Sequence, residues 1–261
     1  MSARILAVAL FIGITEAAIA GPVIEALPNG HVDWTEGILV VEASGSSNTG
    51  AWQDVKAVEQ AAFAQLEPRV EDAARQVRFS ADTLAGDLLA SSGPVARSLE
   101  DGLTGWRVTE TRYYASGRVE LRAELPLHAW LRPALVSQAA GQPDDDAPEP
   151  QITGVVVDAR GLGVRPALAP QLLGPDHSAL YGVADLSEEV AVSVAPVLWI
   201  TDPSDALATA RAGAEPVFLR ATAVVGGSDL VLGRDDAIRL RTLRASSALL
   251  STAPVVVVVD P

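Results

Sequence analysis

Arg118-Val-Glu-Leu-Arg-Ala-Glu-Leu125 alternates charged and apolar residues along its whole length. This period of two predicts a β-strand that buries one face and turns the other to water. A second alternating segment, Trp106 to Tyr114, precedes it, and Ala115-Ser-Gly117 separates the two. The pair predicts a β-hairpin whose apolar face needs a helical layer to cover it.

The residues before this hairpin predict another strand and the helical layer. Gly37 to Ala43 is an apolar, β-branched run bounded by glycine, which is typical of a buried strand. From Trp52 onward, apolar residues recur every three or four positions, which predicts an amphipathic helix. Pro68 interrupts this helix, so we expect a kink or a break there. Two weaker helices are expected at 81–90 and 95–103, which completes a first module over residues 31–135.

A polar segment rich in proline and acidic residues separates this module from the rest of the chain. Gln138 to Pro150 has no apolar periodicity, and we interpret residues 136–151 as a linker. Its carboxylates do not alternate as in a calcium-binding loop, and the glycine that such a loop needs for its turn is absent. We therefore expect a solvated acidic linker, whose carboxylates are Asp144, Asp145, Asp146 and Glu149.

Residues 152–261 predict a second module. Gly154 to Ala159 is typical of a buried strand, and Leu186 to Ile200 predicts one or two more. Asp202-Pro203 is a helix-start pattern, and Gly213 is expected to end that helix. The remaining expected elements are strands at 217–225 and 230–232 around a Gly226-Gly227 turn, and a helix at 235–250.

The chain closes on Val255-Val-Val-Val-Val259, a run without polar alternation. Such a run predicts a central strand that is covered on both faces. Left exposed, it would be an aggregation hazard, so its burial is close to obligatory.

The first twenty residues have the three parts of a secretory signal peptide. A short positive region ends at Arg4, an apolar run follows from Ile5 to Ile14, and Ala18-Ile-Ala20 is a small-x-small cleavage site. The apolar run is shorter than a membrane span of about 20 residues. We therefore expect residues 1–20 to direct export to the periplasm. The expected fold is α+β, with two α/β sandwich-like modules, helices packed on one face of mixed sheets, after an N-terminal signal peptide.

The composition excludes several kinds of site. The sequence has no cysteine, so disulfides, thiolate metal sites and a lipid anchor on cysteine are not possible. The formal net charge of −14 and the absence of a Lys/Arg cluster argue against nucleic-acid binding.

No segment has the pattern of a catalytic or cofactor site. A Gly-x-Ser-x-Gly elbow is absent, and Gly161 and Gly163 do not continue into a nucleotide-binding glycine pattern. The three histidines, His31, His128 and His177, lie far apart without metal-ligand spacing. We therefore expect neither an enzyme nor a bound cofactor or metal.

Two groups of charged residues are candidates for interaction. Exposed strand edges and the hairpin offer unpaired backbone groups to a partner, and the hairpin arginines could meet an acidic neighbour there. They could equally be ordinary solvent-facing residues. Asp158 is expected to pair with Arg160 or Arg165 in a charged turn. The candidates are Arg107, Arg112, Arg118, Arg122, Asp158, Arg160 and Arg165.

The second module resembles an exported bacterial module of poorly defined function. The segments that carry the resemblance are Thr153 to Pro170, Tyr181-Gly182, Ala206 to Gly213 and Pro216 to Ala221. The first module, with its strand, long alanine-rich helix and arginine-rich hairpin, is similar to the small outer-membrane lipoprotein family of FlgP and to the N-terminal part of FlgT. The resemblance implies a non-enzymatic envelope component that self-associates or docks on a flagellar or other envelope ring. This chain lacks the lipid-bearing cysteine of those lipoproteins, so no direct lipid anchor is expected.

The first hypothesis is therefore a periplasmic structural or assembly protein of the cell envelope that binds envelope or flagellar ring proteins, and we expect it to form a homo-oligomer. The alternatives are an exported small-molecule binder, with a pocket between the modules near the Asp158–Arg165 turn, and a hydrolase that uses dispersed carboxylates.

Overall fold

The chain contains two β-sheets, one within residues 21–141 and one within residues 152–261, and helices accompany each of them. The computed structural model describes residues 21–46, 55–141 and 152–261. The expected signal peptide and most of the expected linker, residues 142–151, lie outside the described residues. The expected α+β class is confirmed.

The first module is a five-stranded antiparallel sheet with a helical layer. Its strands lie in the order β1-β2-β3-β5-β4. The central pair β3 and β5 runs from Ile38 opposite Pro126 to Ser46 opposite Arg118. The elements are β1 (Ile24–Leu27), β2 (Gly30–Asp33), β3 (Ile38–Ser46), α1 (Val55–Gln76), α2 (Ala85–Ala90), α3 (Pro94–Gly102), β4 (Arg107–Tyr113), β5 (Arg118–Pro126) and α4 (Leu127–Val136).

Helix α1 covers the apolar face of this sheet, as the periodicity predicts. Its buried side chains recur every three or four residues and include Val58, Ala62, Leu66 and Val70. Helix α1 continues through Pro68, so the expected break in the helix does not occur. Pro68 lies on the exposed side, and the buried stripe on both sides of it holds the two halves in one helix.

Two parts of this module are absent from the sequence-based prediction. One is the β1–β2 hairpin, which extends the sheet beyond residue 31 towards the amino terminus. The other is α4, which buries Leu127, Trp130, Leu131 and Leu135 although it contains Pro133.

The second module is a seven-stranded mixed sheet in the order β8-β7-β11-β10-β6-β12-β9. Strands β9, β12, β6 and the first half of β10 are parallel, with β12 between β6 and β9. The expected interior position of the valine run is thus confirmed. The elements are β6 (Gly154–Asp158), β7 (Leu172–Leu173), β8 (Ala179–Tyr181), α5 (Glu188–Ser193), β9 (Val197–Ile200), α6 (Ala206–Ala212), β10 (Pro216–Val225), β11 (Asp229–Leu232), α7 (Arg234–Ser246) and β12 (Val255–Val258).

Both faces of β12 are covered, which is why its valines need no polar alternation. Val255 and Val257 belong to the main core, whereas Val256 and Val258 pack with Ala208 of α6 on the other face. All four valines are at most 1% exposed.

Local chemistry corrects two details of the second module. Residues 188–193, expected as strand, form α5, because the Ser187 hydroxyl accepts a hydrogen bond from the backbone N–H of Val190 and so caps a helix. Helix α6 is capped by Asp205 instead of Asp202 and ends at Gly213 as expected. Gly226 and Gly227 adopt φ of 58° and 88°, which confirms their role in a turn.

The two modules are joined by backbone hydrogen bonds. Leu168 and Ala169 donate to the carbonyls of Arg78 and Phe79 at 3.0 and 2.7 Å. Gly141, within the expected linker, donates to the Leu186 carbonyl at 2.9 Å. We call this contact between the modules the seam.

A single apolar core runs through the seam. It contains Leu66 and Leu131 of the first module as well as Trp199 and Leu240 of the second. Among the described residues, no helix is both long and apolar enough to cross a bilayer.

The shared core predicts that the modules unfold together. Leu131→Ala should lower the free energy of unfolding by about 2–5 kcal/mol, because it removes buried methyl groups and leaves a cavity. Far-UV circular dichroism and near-UV tryptophan signals should shift together in one chemical-denaturation transition. Leu207→Ala, on the exposed side of α6, is the control. Two separated transitions, of which only one moves, would contradict the shared core.

Candidate functional site

The four candidate arginines of the hairpin lie on one face, the solvent face of β4 and β5. Across the two strands, Arg107 lies opposite Glu124 and Arg112 opposite Glu120. Each arginine therefore has an acidic neighbour within the chain. The face carries an alternating pattern of both signs instead of a basic patch.

The ion pairs on this face are short but exposed. Arg112 donates to both oxygens of Glu110 at 2.6 and 2.8 Å, and Arg118 pairs with Glu120 at 2.8 Å. The hydrogen bonds from Arg112 lower the pKa of Glu110. Exposed pairs of this kind contribute little to folding, so these side chains are available for intermolecular contacts.

Aromatic and arginine side chains meet at the turn of the hairpin. The Arg118 guanidinium lies 4.4 Å from the centre of the Tyr114 ring, and the Tyr114 hydroxyl donates to Glu120. Arg122 pairs with Glu124 at 3.2 Å. The charged pattern thus extends from the turn to the far end of β5.

Strand β4 forms an open edge of the sheet. Among the described residues, its only strand partner is β5. The backbone N–H of Tyr114 donates to the Arg118 carbonyl, so by the alternation of an antiparallel ladder Arg112 and Glu110 also face β5. Thr111 and Tyr113 consequently direct their N–H and C=O groups away from the sheet. We call this outward side of β4 the β4 edge.

Apolar side chains accompany the β4 edge on the helix-covered face. Phe63 of α1 is 52% exposed and Tyr113 is 48% exposed, and Val108 also reaches solvent. The Phe63 ring lies 5.5 Å from the ring of Trp106. A cavity of about 450 Å³ opens beside the start of β4, between Arg107, Thr109 and Trp130. Exposed apolar area beside unpaired strand groups is typical of a protein-binding surface.

The other three candidate residues do not join this surface. Arg160 donates to both oxygens of Asp158 at 2.8 Å, so of the two expected partners of Asp158 it is Arg160 that pairs with it. These hydrogen bonds lower the pKa of Asp158. Arg165 lies elsewhere, and its backbone N–H donates to the Gly227 carbonyl at 2.8 Å.

Asp158 and Arg160 border a depression of about 310 Å³ at the carboxyl ends of the parallel strands. Asp236, on the same depression, accepts hydrogen bonds from the Arg220 backbone and the Arg239 guanidinium. Both carboxylates of this depression are thus already held by arginine residues. Among the described residues, no group of three or more His, Asp or Glu side chains is placed to hold a metal ion.

A cleft lies at the seam, between the modules as the small-molecule alternative expected, but its lining residues differ from the expected ones. Its volume is about 300 Å³, and its walls come from both modules. Asp185 and Arg244 form an ion pair of 2.6 Å in its wall, and burial raises the pKa of Asp185. The sequence predicts an inter-module pocket near the Asp158–Arg165 turn. The cleft is instead lined by Asp185, and no residue of that turn lines it. Its other polar lining residues are Ser80, Thr83, Gln138 and Gln171.

Residues 154–261 match a family model described as Treponema pallidum Tp0624, second domain. The match covers nearly all of the second module and less than half of the chain. It does not extend to the first module, which carries the β4 edge, and it shows no relation to FlgP or FlgT. No curated protein matches the chain.

His128 of α4 contacts α5 across the seam. Its Nε2 donates to the Ala191 carbonyl of α5 at 3.0 Å, since a carbonyl can only accept. Burial lowers the pKa of His128 below 6.5, so the unfolded chain binds more protons than the folded chain below that pH. The free energy of unfolding should therefore fall as the pH drops below about 6.5.

Denaturation curves between neutral pH and the acid limit of folding test this expectation. His128→Gln keeps a side-chain donor but cannot be protonated, so its unfolding free energy should depend less on pH than that of the wild type. His31→Gln, in β2, is the matched control. Equal pH dependence of wild type and His128→Gln would show that His128 does not titrate in this way.

Proposed function

We propose that this chain is an exported, non-enzymatic structural or assembly protein of the cell envelope that acts through protein–protein contacts. Its binding surface is the β4 edge with the apolar side chains beside it. The observation that carries the proposal is the coincidence, on strand β4 and beside it, of outward-facing backbone groups, the exposed rings of Tyr113 and Phe63, and charges of both signs.

The chemistry of the β4 edge favours a protein partner with an edge strand of its own. Backbone N–H and C=O groups of Thr111 and Tyr113 can extend the ladder into such a strand. Phe63, Val108 and Tyr113 supply apolar area next to it. The alternating charges beside the edge select a partner with the complementary pattern, which gives specificity more than affinity.

The proposed location is the periplasm. The signal-like residues Met1 to Ala20 support export, and the sequence contains no cysteine that could carry a lipid. We propose that any association with the outer membrane is made through partners. These are envelope or flagellar ring proteins and further copies of this chain.

Site-specific crosslinking tests the proposed surface. Because the sequence contains no cysteine, Thr111→Cys carries a photoreactive maleimide at one position only. In the periplasmic fraction we expect Thr111→Cys to form a protein adduct that mass spectrometry identifies as an envelope protein or as this chain.

The matched control is Ala26→Cys, on the exposed opposite edge of the same sheet. An adduct at residue 26 that is as abundant as the one at residue 111, or no adduct at 111, would contradict the β4 edge as the binding surface. Recovery of the uncleaved chain in the cytosol would contradict the proposed export.

A second candidate function, small-molecule binding, is favoured by the cleft at the seam. The Asp185 carboxylate and the Arg244 guanidinium face the same cavity, with hydroxyl and amide groups beside them. Asp185 and Arg244 pair with each other at 2.6 Å, so we propose a small ligand that replaces this pair, with its carboxylate at Arg244 and its ammonium group at Asp185. No residue of β4 or β5 lines the cleft, so the two candidate functions use different surfaces.

Thermal unfolding in the presence of free amino acids and dipeptides tests the cleft. A ligand that binds the folded state raises the melting temperature. Arg244→Ala should abolish the shift because it removes the partner of the ligand carboxylate. Arg241→Ala, one turn earlier on α7 and paired with Asp176, should retain it. If no probe raises the melting temperature of the wild type, this second function is excluded for that ligand class.

A further inference from the structure

The β4 edge is compatible with a second copy of itself. In an antiparallel strand pair, residues lie directly opposite each other, and the side chains of opposite residues point to the same face of the sheet. If the pair has two-fold symmetry, the axis passes midway between the two copies of one residue. Thr111 directs its backbone groups outward and stands between Glu110 and Arg112. An axis at Thr111 places Glu110 of each copy opposite Arg112 of the other.

We propose that two copies of this chain pair antiparallel through β4 with the two-fold axis at Thr111. This inference rests on the proposed function and names the partner of that surface. The result is a continuous ten-stranded sheet, twice the five strands of the first module. The contact is isologous, so it closes as a dimer and does not propagate as a fibre.

The charge pattern selects this register over its neighbours. Moving the axis to Arg112 places the two copies of Arg112 opposite each other, and moving it to Glu110 does the same for Glu110. Like charges directly opposite each other destabilise a strand pair, whereas opposite charges stabilise it. With the axis at Thr111, four charged side chains, Glu110 and Arg112 of each copy, lie opposite a residue of opposite charge.

The apolar side chains fit the same arrangement. A two-fold axis perpendicular to the sheet keeps α1 of both copies on one side. Thr111 lies on that face with Val108 and Tyr113, because the partners of these three residues on β5 are Leu121, Ala123 and Val119 of the buried face. The exposed rings of Tyr113 and Phe63 are therefore brought beside the new strand pair, where their apolar area can be buried.

The other edge of the sheet does not offer this complementarity. Strand β1 has four residues and one charged side chain, Glu25. Thr35, next to the β1–β2 hairpin, donates to the Trp199 carbonyl of the second module at 2.9 Å. The β1–β2 hairpin thus touches the second module at Thr35, although β1 itself is exposed.

Exchange of charges between two variants tests the register. Glu110→Arg leaves only arginine at positions 110 and 112, and Arg112→Glu leaves only glutamate there. Each variant alone should dimerise about tenfold more weakly than the wild type or worse, because opposite-charge contacts become like-charge contacts. An equimolar mixture should recover dimer in sedimentation velocity, since the two strands are then complementary.

Mixing the two variants distinguishes an effect on dimerisation from an effect on folding. Within one chain, Glu110→Arg faces Arg122 and Arg112→Glu faces Glu120, and mixing does not relieve either repulsion. Recovery on mixing therefore reports on the intermolecular contact. A wild type that dimerises but whose two variants fail to recover together would overturn the Thr111 register.

Removal of the edge donor gives an independent measurement. Thr111→Pro deletes an N–H that faces away from the sheet, a position where an edge strand tolerates proline. It should abolish the dimer while circular dichroism remains that of the folded chain. Ala26→Pro, on the exposed β1 edge, should leave the dimer intact.

The outcomes also distinguish this inference from the proposed function. A wild type that stays monomeric at its highest soluble concentration overturns the dimer. If Thr111→Cys then crosslinks to a different envelope protein, the proposed function stands and only the second copy is wrong. If Thr111→Cys crosslinks to no protein, the proposed dimer and the proposed function are both wrong.

Discussion

The seam between the modules is the constraint on which the rest of the structure depends. Backbone N–H groups of Leu168 and Ala169 pair with carbonyls of the first module, and one apolar core continues across this line. Breaking the contact would expose both unpaired peptide groups and apolar area, and each is costly. The seam therefore fixes which side of the first sheet lies against the second module. Thr35, beside the β1–β2 hairpin, also contacts the second module, whereas β4 is the strand at the opposite edge of the sheet.

The sequence predicted the elements whose patterns are long and one-sided. Alternation in Arg118–Leu125 and the helical stripe of α1 each span enough residues for local pattern to agree with tertiary burial. Short elements were harder to predict. The four-residue strand β1 is half exposed, and α4 carries an internal Pro133. In residues 188–193, the β-branched residues favoured a strand, but the hydroxyl cap at Ser187 decided the conformation.

The candidate site shows the same division between local and long-range information. The arginines of the hairpin are visible in the sequence because their alternation is local. That β4 is an edge strand is not visible, because it depends on β5 pairing with β3 across the whole helical layer. The cleft at the seam is also long-range, since Ser80 and Asp185 meet only when the modules dock. Sequence pattern thus supplied the side chains of the surface, and topology decided that the surface is open.

An open edge in a protein of net charge −14 needs both protection and selectivity. Charged side chains and a bulge are the usual protection against unwanted strand pairing, and β4 has both, with a register shift between Val108 and Glu110. Net negative charge on two copies opposes their association, whereas the attraction between Glu110 and Arg112 side chains in the proposed pairing acts only at short range in salt. The same alternation that disfavours most partners is satisfied by a strand of complementary order. In the proposed pairing, protection and recognition at the β4 edge are therefore two results of one charge pattern.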